Sequence, residues 1–182
     1  GNDWYEGAQK RQVYCTQDDT AKGIGTSSRA GKMSPRKLQS YTIGDQIRLA
    51  TNFRGKSFGI SMKDRGSILP AGHSANAAFW FDFASGNFVS SNWYKDLNGK
   101  LPSWLEAFNQ SGIARSYKDT VWKPLLPLNQ YEASSEDLAV WEKSILKLKL
   151  PVFPYRLSED GTSDYNIVFN SPFGNDITLL AA

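Results

Sequence analysis

The sequence predicts one α/β domain spanning residues 1–182. The chain has 182 residues, 40% of them hydrophobic and 13% aromatic, which is enough to bury one sizeable core. Apolar residues recur with helical spacing in some segments and alternate as in strands in others. The chain has no fixed-period repeat and no low-complexity tract, so a solenoid or a disordered linker is excluded.

The first helix is predicted over residues 43–52. Thr42 is a favourable N-cap, and Asp45 lies in the first turn, where a negative charge stabilises the helix. One face of this helix is apolar and consists of Ile43, Ile47 and Ala50.

A strand is predicted next, over residues 56–62. Phe58, Ile60 and Met62 alternate there with small residues, as expected for a strand with one apolar side. The strand runs into the charged segment Lys-Asp-Arg-Gly at residues 63–66, which we predict to be a turn.

A β-hairpin and a short helix follow. The β-forming residues of 78–83 and 87–90 are separated by Ala-Ser-Gly at 84–86, a spacing typical of a hairpin. The helix begins near Pro102 and ends before Gly112. One face of it is lined by Trp104, Leu105 and Phe108.

The last third of the chain is predicted to be rich in loops. Residues 119–157 contain four prolines that interrupt any longer period, and only a helix over residues 135–146 fits between them. Near the end, Asn175 is predicted to cap a helix that begins at Asp176. No stop signal follows that helix, so we expect the chain to be part of a longer protein.

Composition excludes several classes of function. The longest apolar run, residues 77–81, is far shorter than the roughly 20 residues of a membrane-spanning helix. The single cysteine, Cys15, excludes an intramolecular disulfide. The single histidine, His73, excludes a complete two-zinc centre, because such centres generally use several histidines.

Positive charge is concentrated in the first third of the chain. Residues 1–65 contain twelve Lys or Arg and six Asp or Glu. An excess of this size suits a phosphorylated small molecule, whereas proteins that bind nucleic acid usually have a concentrated basic stripe. We therefore expect no nucleic-acid partner.

Three patterns allow both a functional and a structural interpretation. Gly-Ile-Gly at 23–25 lacks the strand and the third glycine of a dinucleotide site. His73, Ser74 and Asp82 are residue types of a hydrolytic triad, but proximity in sequence does not provide its geometry, so we favour a structural histidine. A sugar-binding platform is conceivable for four aromatic residues whose spacing is more typical of a core: Trp80, Trp93, Tyr94 and Trp104.

The segment Lys63-Asp64-Arg65 carries the clearest chemical signal. At the end of a strand, residues two apart project to the same side, so Lys63 and Arg65 can converge while Asp64 points away. Two such cations would clamp one phosphoryl group through charge-assisted hydrogen bonds. Taken alone, however, the pattern is common and is more typical of a solvated surface turn.

Five segments together resemble a known family. They are Gly-Asn-Asp-Trp-Tyr at 1–5, Gly-Lys-Met-Ser-Pro at 31–35, Arg-Leu-Ala-Thr-Asn at 48–52, Lys-Asp-Arg-Gly-Ser-Ile-Leu-Pro-Ala-Gly-His at 63–73, and Ser-Pro-Phe-Gly-Asn at 171–175. In this order they resemble stretches of bacterial alkaline phosphatases of the phosphate-irrepressible, monomeric branch, which is related to type I phosphodiesterases and nucleotide pyrophosphatases.

The resemblance implies a zinc-dependent phosphomonoesterase with an α/β core, in which a threonine attacks phosphorus between two zinc ions. It also implies that Asn2, Lys63 and Arg65 contact the nonbridging phosphoryl oxygens of a small phosphate ester. The Lys-Arg pair favours monoesters, because a diester has one fewer ionisable oxygen. A periplasmic or secreted location is implied by the family as well.

No residue of the chain matches the threonine or the zinc ligands of the family. We therefore expect the chain to be the middle portion of a phosphatase, which contains the hairpin and the loop-rich insertion and is α+β when taken alone. We expect it to have no catalytic residue and no metal site, and to be inactive by itself. Uncovered apolar edges would favour its dimerisation. The alternatives are a segment of a phosphodiesterase or nucleotide pyrophosphatase, and a noncatalytic module that binds anions or glycans.

Overall fold

The computed structural model describes residues 2–145 and 147–182. The strands are β1 Asp3–Glu6, β2 Arg11–Tyr14, β3 Gly23–Ile24, β4 Phe58–Ser61, β5 Ala77–Asp82, β6 Asn87–Ser91, β7 Val121–Trp122 and β8 Tyr155–Arg156. The α-helices are α1 Ile43–Ala50, α2 Asp64–Ala71, α3 Ser103–Gln110, α4 Ile113–Lys118, α5 Asn166–Phe169 and α6 Phe173–Ala181.

A four-stranded mixed sheet lies at the centre of the described fold, in the order β3-β6-β5-β4. β4 and β5 are parallel, with Phe58 opposite Ala77 and Ser61 opposite Trp80. The other pairs in this sheet are antiparallel. Two further pairs, β1-β2 and β7-β8, form separate two-stranded sheets.

Both faces of β5 are covered, which explains why all six of its residues are buried. Phe79 and Phe81 pack on one side in a cluster with Leu105 of α3 and Ile177 of α6. Trp80 packs on the other side in a cluster that includes residues of α2. A sheet covered on both faces by helices is the layered arrangement of an α/β fold, as the sequence predicts.

Four predicted elements are confirmed, with one difference in packing. The 56–62 strand is β4. The 43–52 helix is α1, and Thr42 and Asp45 form a reciprocal capping box. The hairpin is β5-β6, and the helix after Pro102 is α3. However, the apolar face of α1 is exposed: Ile43 has 75% and Ile47 47% of its surface accessible.

The predicted turn at 63–66 is wrong, because α2 begins at Asp64, three residues after the end of β4 at Ser61. Lys63 has an extended backbone at the N-cap, and Asp64 places a negative charge in the first turn. Gly59 lets this helix approach β4 closely, since a Cβ there would lie 2.2 Å from the Ser67 carbonyl oxygen. This contact joins two elements eight positions apart, so the residue pattern of 63–66 alone does not show the helix start.

The helix predicted over 135–146 is absent from its described residues, 135–145, which form turns and bends. Polar side chains compete there for backbone groups: Asp137 accepts a hydrogen bond from the Phe153 N–H at 3.0 Å, and Glu142 accepts one from the Ala139 N–H at 3.4 Å. The expected loop-rich character of 119–157 is otherwise observed, with only the short strands β7 and β8 and a brief 3₁₀ turn among the described residues.

The C-terminal helix begins three residues earlier than predicted. α6 starts at Phe173 with Pro172 at its N-cap, so Asn175 and Asp176 lie within the first turn and do not cap it. Both of their backbone N–H groups donate to the Pro172 carbonyl oxygen, at 2.9 and 3.4 Å. The fixed φ of proline is suited to a helix start, which the cap prediction overlooked. In the described part of the chain, no helix is long and apolar enough to cross a membrane.

Candidate functional site

The N-terminal hairpin holds Asn2 at its open end. In the β1-β2 pair, Asp3 lies opposite Tyr14, and one step further the Cys15 N–H donates a hydrogen bond to the Asn2 carbonyl oxygen at 2.9 Å. The side chain of Asn2 is exposed. The amide of Asn2 is therefore carried on a hydrogen-bonded frame and faces solvent, where a ligand can reach it.

The start of α2 holds the two cations. Lys63 is the N-cap residue, and its N–H donates to Ser61 Oγ at 3.3 Å. The Lys63 Nζ atom lies 4.8 Å from the centre of the Phe169 ring, within range of a cation–π interaction. Arg65 follows in the first turn of the helix, half-buried like Lys63.

Tyr14 connects the hairpin to α2. Its hydroxyl donates a hydrogen bond to Asp64 Oδ1 and accepts one from Arg65 Nη1, each at 3.0 Å. The hydroxyl of Thr16 donates to the other carboxylate oxygen of Asp64. We call Tyr14, Thr16, Asp64 and Arg65 the hydroxyl junction.

The structure links Asn2 and Arg65 indirectly, through the N-terminal hairpin and Tyr14. Arg65 contacts Tyr14, which is the cross-strand partner of the residue after Asn2. Lys63 instead contacts Phe169. The prediction that Asp64 points away is wrong, because Asp64 and Arg65 share the Tyr14 hydroxyl.

Electrostatics keep the junction in a defined protonation state. Burial, together with the nearby Asp64 carboxylate, raises the pKa of Tyr14 above its ordinary value, despite the opposing effect of the Arg65 hydrogen bond. The hydrogen bond with Tyr14 is the main cause that raises the pKa of Arg65. These shifts favour the neutral phenol of Tyr14 and the cationic form of Arg65.

The prominent cavities lie elsewhere. One of about 960 Å³ is lined mainly by the loop-rich segment, including Trp122, Tyr131 and Phe153. Another of about 750 Å³ lies beside the N-terminal hairpin and is lined in part by Cys15 and Arg36. Neither is lined by Asn2, Lys63 or Arg65.

The hydrolytic-triad pattern is structural. His73 and Ser74 both donate backbone hydrogen bonds to Asp45, at 3.2 and 2.8 Å. The His73 ring nitrogen Nε2 lies 3.0 Å from the Leu38 carbonyl oxygen. Asp82 instead accepts hydrogen bonds from Thr26 and other groups, so no triad is assembled.

The aromatic residues also belong mainly to the core. Trp80 and Tyr94 are 1% and 2% exposed. The Trp93 ring N–H donates to the His73 carbonyl oxygen at 3.2 Å, and Trp104 packs edge-on against Phe79. These four rings do not form a shared platform.

The Gly-Ile-Gly pattern at 23–25 is also structural. Residues 23–24 form β3, so the glycine pattern is part of a strand.

The residues of this chain do not fit a two-zinc centre. Across residues 2–145 and 147–182, no three His, Cys, Asp or Glu side chains are grouped so that they could hold a metal ion. The carboxylates of Asp18, Asp45 and Asp82, which are buried, accept hydrogen bonds from protein donors.

Sequence reasoning missed Tyr14 and Thr16. The available signal was two hydroxyl side chains at and just after the end of β2, both of which reach Asp64. That signal is weak without the position of α2, which is set by long-range packing.

Comparison with known proteins identifies relatives that match 98–100% of the chain. The chain is 45% identical to alkaline phosphatase PafA from Elizabethkingia meningoseptica over 100% of its own length and 33% of that protein. It is 38% identical to alkaline phosphatase PhoV from Synechococcus elongatus over 98% of its length and 32% of that protein. A protein named calcium-transporting ATPase from Myroides odoratus is 41% identical, over 98% of the length of this chain and 32% of that protein. No protein-family model matches the chain.

Solved structures give the same result. The crystal structure of wild-type PafA superposes with a TM-score of 0.92 at 44% identity, covering 100% of this chain and 35% of that one. A PafA variant superposes with a TM-score of 0.91 at 43% identity. In this variant a threonine, an asparagine, a lysine and an arginine are replaced. The chain thus has the fold of the corresponding part of PafA and spans about a third of the length of its curated relatives.

Proposed function

We propose, from the homology of this chain to alkaline phosphatases along its whole length, that it is the substrate-clamp segment of a longer phosphatase that hydrolyses phosphate monoesters. The relatives named as phosphatases are the basis for this activity. The observation that best supports the choice of phosphate-binding residues is the placement of Arg65, a half-buried cation anchored by Tyr14 at a helix start.

Asn2, Lys63 and Arg65 have complementary chemistry for one phosphoryl group. Arg65 offers planar paired donors, Lys63 a compact positive charge, and Asn2 an amide N–H. Negative charge on the nonbridging oxygens would be stabilised by these donors while the phosphoryl group transfers. All three have exposed or half-buried side chains, so they are accessible from solvent.

The PafA variant supports the same three positions. Its replaced lysine and arginine are two positions apart, as are Lys63 and Arg65, and its replaced asparagine precedes the lysine by about sixty positions, as Asn2 precedes Lys63. This match in residue type and spacing motivates the test below.

Zinc belongs to this proposal only through the longer enzyme. In that enzyme two zinc ions would supply Lewis-acid activation of the phosphoryl group and of a threonine nucleophile. The donor set of this chain does not fit them, so their ligands and the threonine would be supplied by other parts of the protein. Accordingly, residues 1–182 alone are expected not to turn over an aryl phosphate. The family implies a periplasmic or secreted location.

The test is a comparison of monoester and diester hydrolysis by the full-length protein with Asn2→Ala, Lys63→Ala or Arg65→Ala. Loss of a charge-assisted hydrogen bond costs about 1.5–3 kcal/mol, so kcat/KM for a monoester should fall about 10- to 150-fold for each cation. Lys100→Ala, which removes an exposed lysine elsewhere, is the matched control and should be neutral.

The substrate class is decided by the same data. The diester should be less affected by loss of Lys63 or Arg65, because it carries one fewer negative charge. Equal losses on both substrates would favour the phosphodiesterase or nucleotide pyrophosphatase alternative. Absence of any hydrolysis by the full-length protein, with phosphate binding retained, would favour a noncatalytic anion-binding module.

A further inference from the structure

The hydroxyl junction separates two opposite charges that are adjacent in sequence. Asp64 and Arg65 both contact the Tyr14 hydroxyl, and no direct ion pair joins them in the part of the chain that the structure describes. The carboxylate is also held on its second oxygen by Thr16. Asp64 is therefore fixed from two directions, and its negative charge is kept from pairing with the guanidinium.

This arrangement leaves most of the guanidinium available. Arginine has five N–H donors in one plane, and the hydrogen bond to Tyr14 uses one of them, on Nη1. Anchoring one nitrogen fixes the orientation of the plane, and the other donors can then meet the oxygens of a ligand in paired geometry. A direct pair with Asp64 would instead occupy two donors and partly neutralise the charge.

The same hydroxyl couples the two halves of the candidate site. Tyr14 is the cross-strand partner of Asp3, and the next hydrogen bond along the hairpin joins Cys15 to Asn2. A movement of Tyr14 relative to α2 would therefore change the separation of Asn2 and Arg65. A single phenol thus sets both the direction of Arg65 and the position of the strand end that carries Asn2.

We propose that Tyr14 is a positioning residue for phosphate binding, which directs Arg65 toward the phosphoryl group and keeps Asp64 from pairing with it. The proposal rests on the proposed function, because it requires Arg65 to be a phosphate ligand. Thr16 contributes by holding Asp64 away from the guanidinium.

The test is a double-mutant cycle in the full-length protein, with inhibition by inorganic phosphate and kcat/KM for an aryl monoester as readouts. Tyr14→Phe removes the hydroxyl and keeps the ring. We expect it to weaken phosphate inhibition about 10-fold. In an Arg65→Ala background the same substitution should change phosphate inhibition less than twofold, because Tyr14 acts through Arg65.

Tyr41→Phe is the matched control. Tyr41 is 72% exposed and lies away from the junction, so the loss of its hydroxyl should leave both readouts unchanged. Melting temperature and circular dichroism verify folding of each variant. Should Tyr14→Phe not fold, Thr16→Val replaces it: we expect a loss of about threefold in phosphate inhibition that is likewise abolished by Arg65→Ala.

A rescue variant tests the role of the carboxylate. Without the phenol, Asp64 is held only by Thr16 and its freed oxygen can pair with Arg65. Tyr14→Phe with Asp64→Asn should therefore bind phosphate about threefold better than Tyr14→Phe alone. Lack of rescue would overturn the role given to Asp64.

The outcomes separate this inference from the proposed function. Equal effects of Tyr14→Phe with and without Arg65 would show a general structural role and overturn the inference. A loss with Arg65→Ala but none with Tyr14→Phe would overturn the inference and leave the proposed function intact. No change in phosphate inhibition with Arg65→Ala would instead contradict the proposed function itself.

Discussion

The Lys63 Nζ atom lies 4.8 Å from the centre of the Phe169 ring. Phe169 is the last residue of α5 and packs edge-on against Phe83, at 5.2 Å between ring centres. The lysine is thus directed by a half-buried aromatic residue from a segment more than a hundred positions away. The face of a π-ring attracts a cation, so this contact restricts where the ammonium group can reach.

Replacing Phe169 by leucine should reduce monoester hydrolysis without abolishing it. The change keeps an apolar side chain but removes a cation–π interaction of about 0.5–1 kcal/mol. We expect kcat/KM of the full-length protein to fall about two- to fivefold. The control is Phe108→Leu, which likewise removes a half-buried aromatic ring, in this case one in contact with Phe88. Equal losses in the two variants would contradict a specific role for the Lys63 contact.

The parts of the fold that could be predicted from sequence are those stabilised locally. Thr42 and Asp45 are three positions apart and cap α1 with each other's backbone, so the cap is present in the sequence pattern itself. The β5-β6 hairpin is likewise specified by its turn, where Gly86 adopts a φ of 77°.

The parts that could not be predicted depend on contacts between elements. The start of α2 depends on its packing against Gly59 of β4, and the orientation of Arg65 depends on Tyr14, 51 positions away. Asn2, Lys63 and Arg65 were identified through family resemblance, since Lys-x-Arg alone is a common surface pattern. Their joint role as phosphate ligands stays a prediction.

Replacing Asp45 by alanine should strongly destabilise the protein. The Asp45 carboxylate is 2% exposed and accepts hydrogen bonds from the backbone and hydroxyl of Ser74, at 2.8 and 2.7 Å, and from Thr42 and His73. Alanine would leave buried donors without a partner, so we expect a loss of about 3 kcal/mol in the free energy of unfolding. Asp19→Ala at an exposed site should change it by less than about 0.5 kcal/mol. Denaturant titration measures both, and similar values would contradict the role of Asp45.

Asp45 should also make stability depend on pH in the acid range. Burial opposes ionisation of this carboxyl group, but hydrogen bonds from Ser74, Thr42 and His73 outweigh it and lower the pKa of Asp45 to about 2. A lowered pKa means that the folded state binds its proton less readily than the unfolded state. Its stabilising contribution is therefore complete above about pH 4 and is lost as the pH falls toward 2.

The corresponding measurement compares the protein with its Asp45→Asn variant by denaturant titration at several pH values. Between pH 4 and 2 the unsubstituted protein should lose about 2 kcal/mol more stability than the variant. Parallel curves would show that Asp45 is not the titrating group.

Replacing Gly59 by alanine should disturb the candidate site by displacing α2. A Cβ at this position would lie 2.2 Å from the backbone oxygen of Ser67, which has no flexible end that could move aside. α2 would have to shift away from β4, and Lys63 and Arg65 would shift with its first turn. We expect a loss of more than about 2 kcal/mol in the free energy of unfolding and weaker inhibition by phosphate.

The control for this substitution is Gly7→Ala, since a Cβ there would meet no atom within 4 Å. It should leave both stability and phosphate inhibition unchanged. If Gly59→Ala lowered stability but kept phosphate inhibition, the packing of α2 would matter for folding alone. The position of its first turn would then not limit phosphate binding, and the rigid link from Gly59 to Arg65 would be wrong.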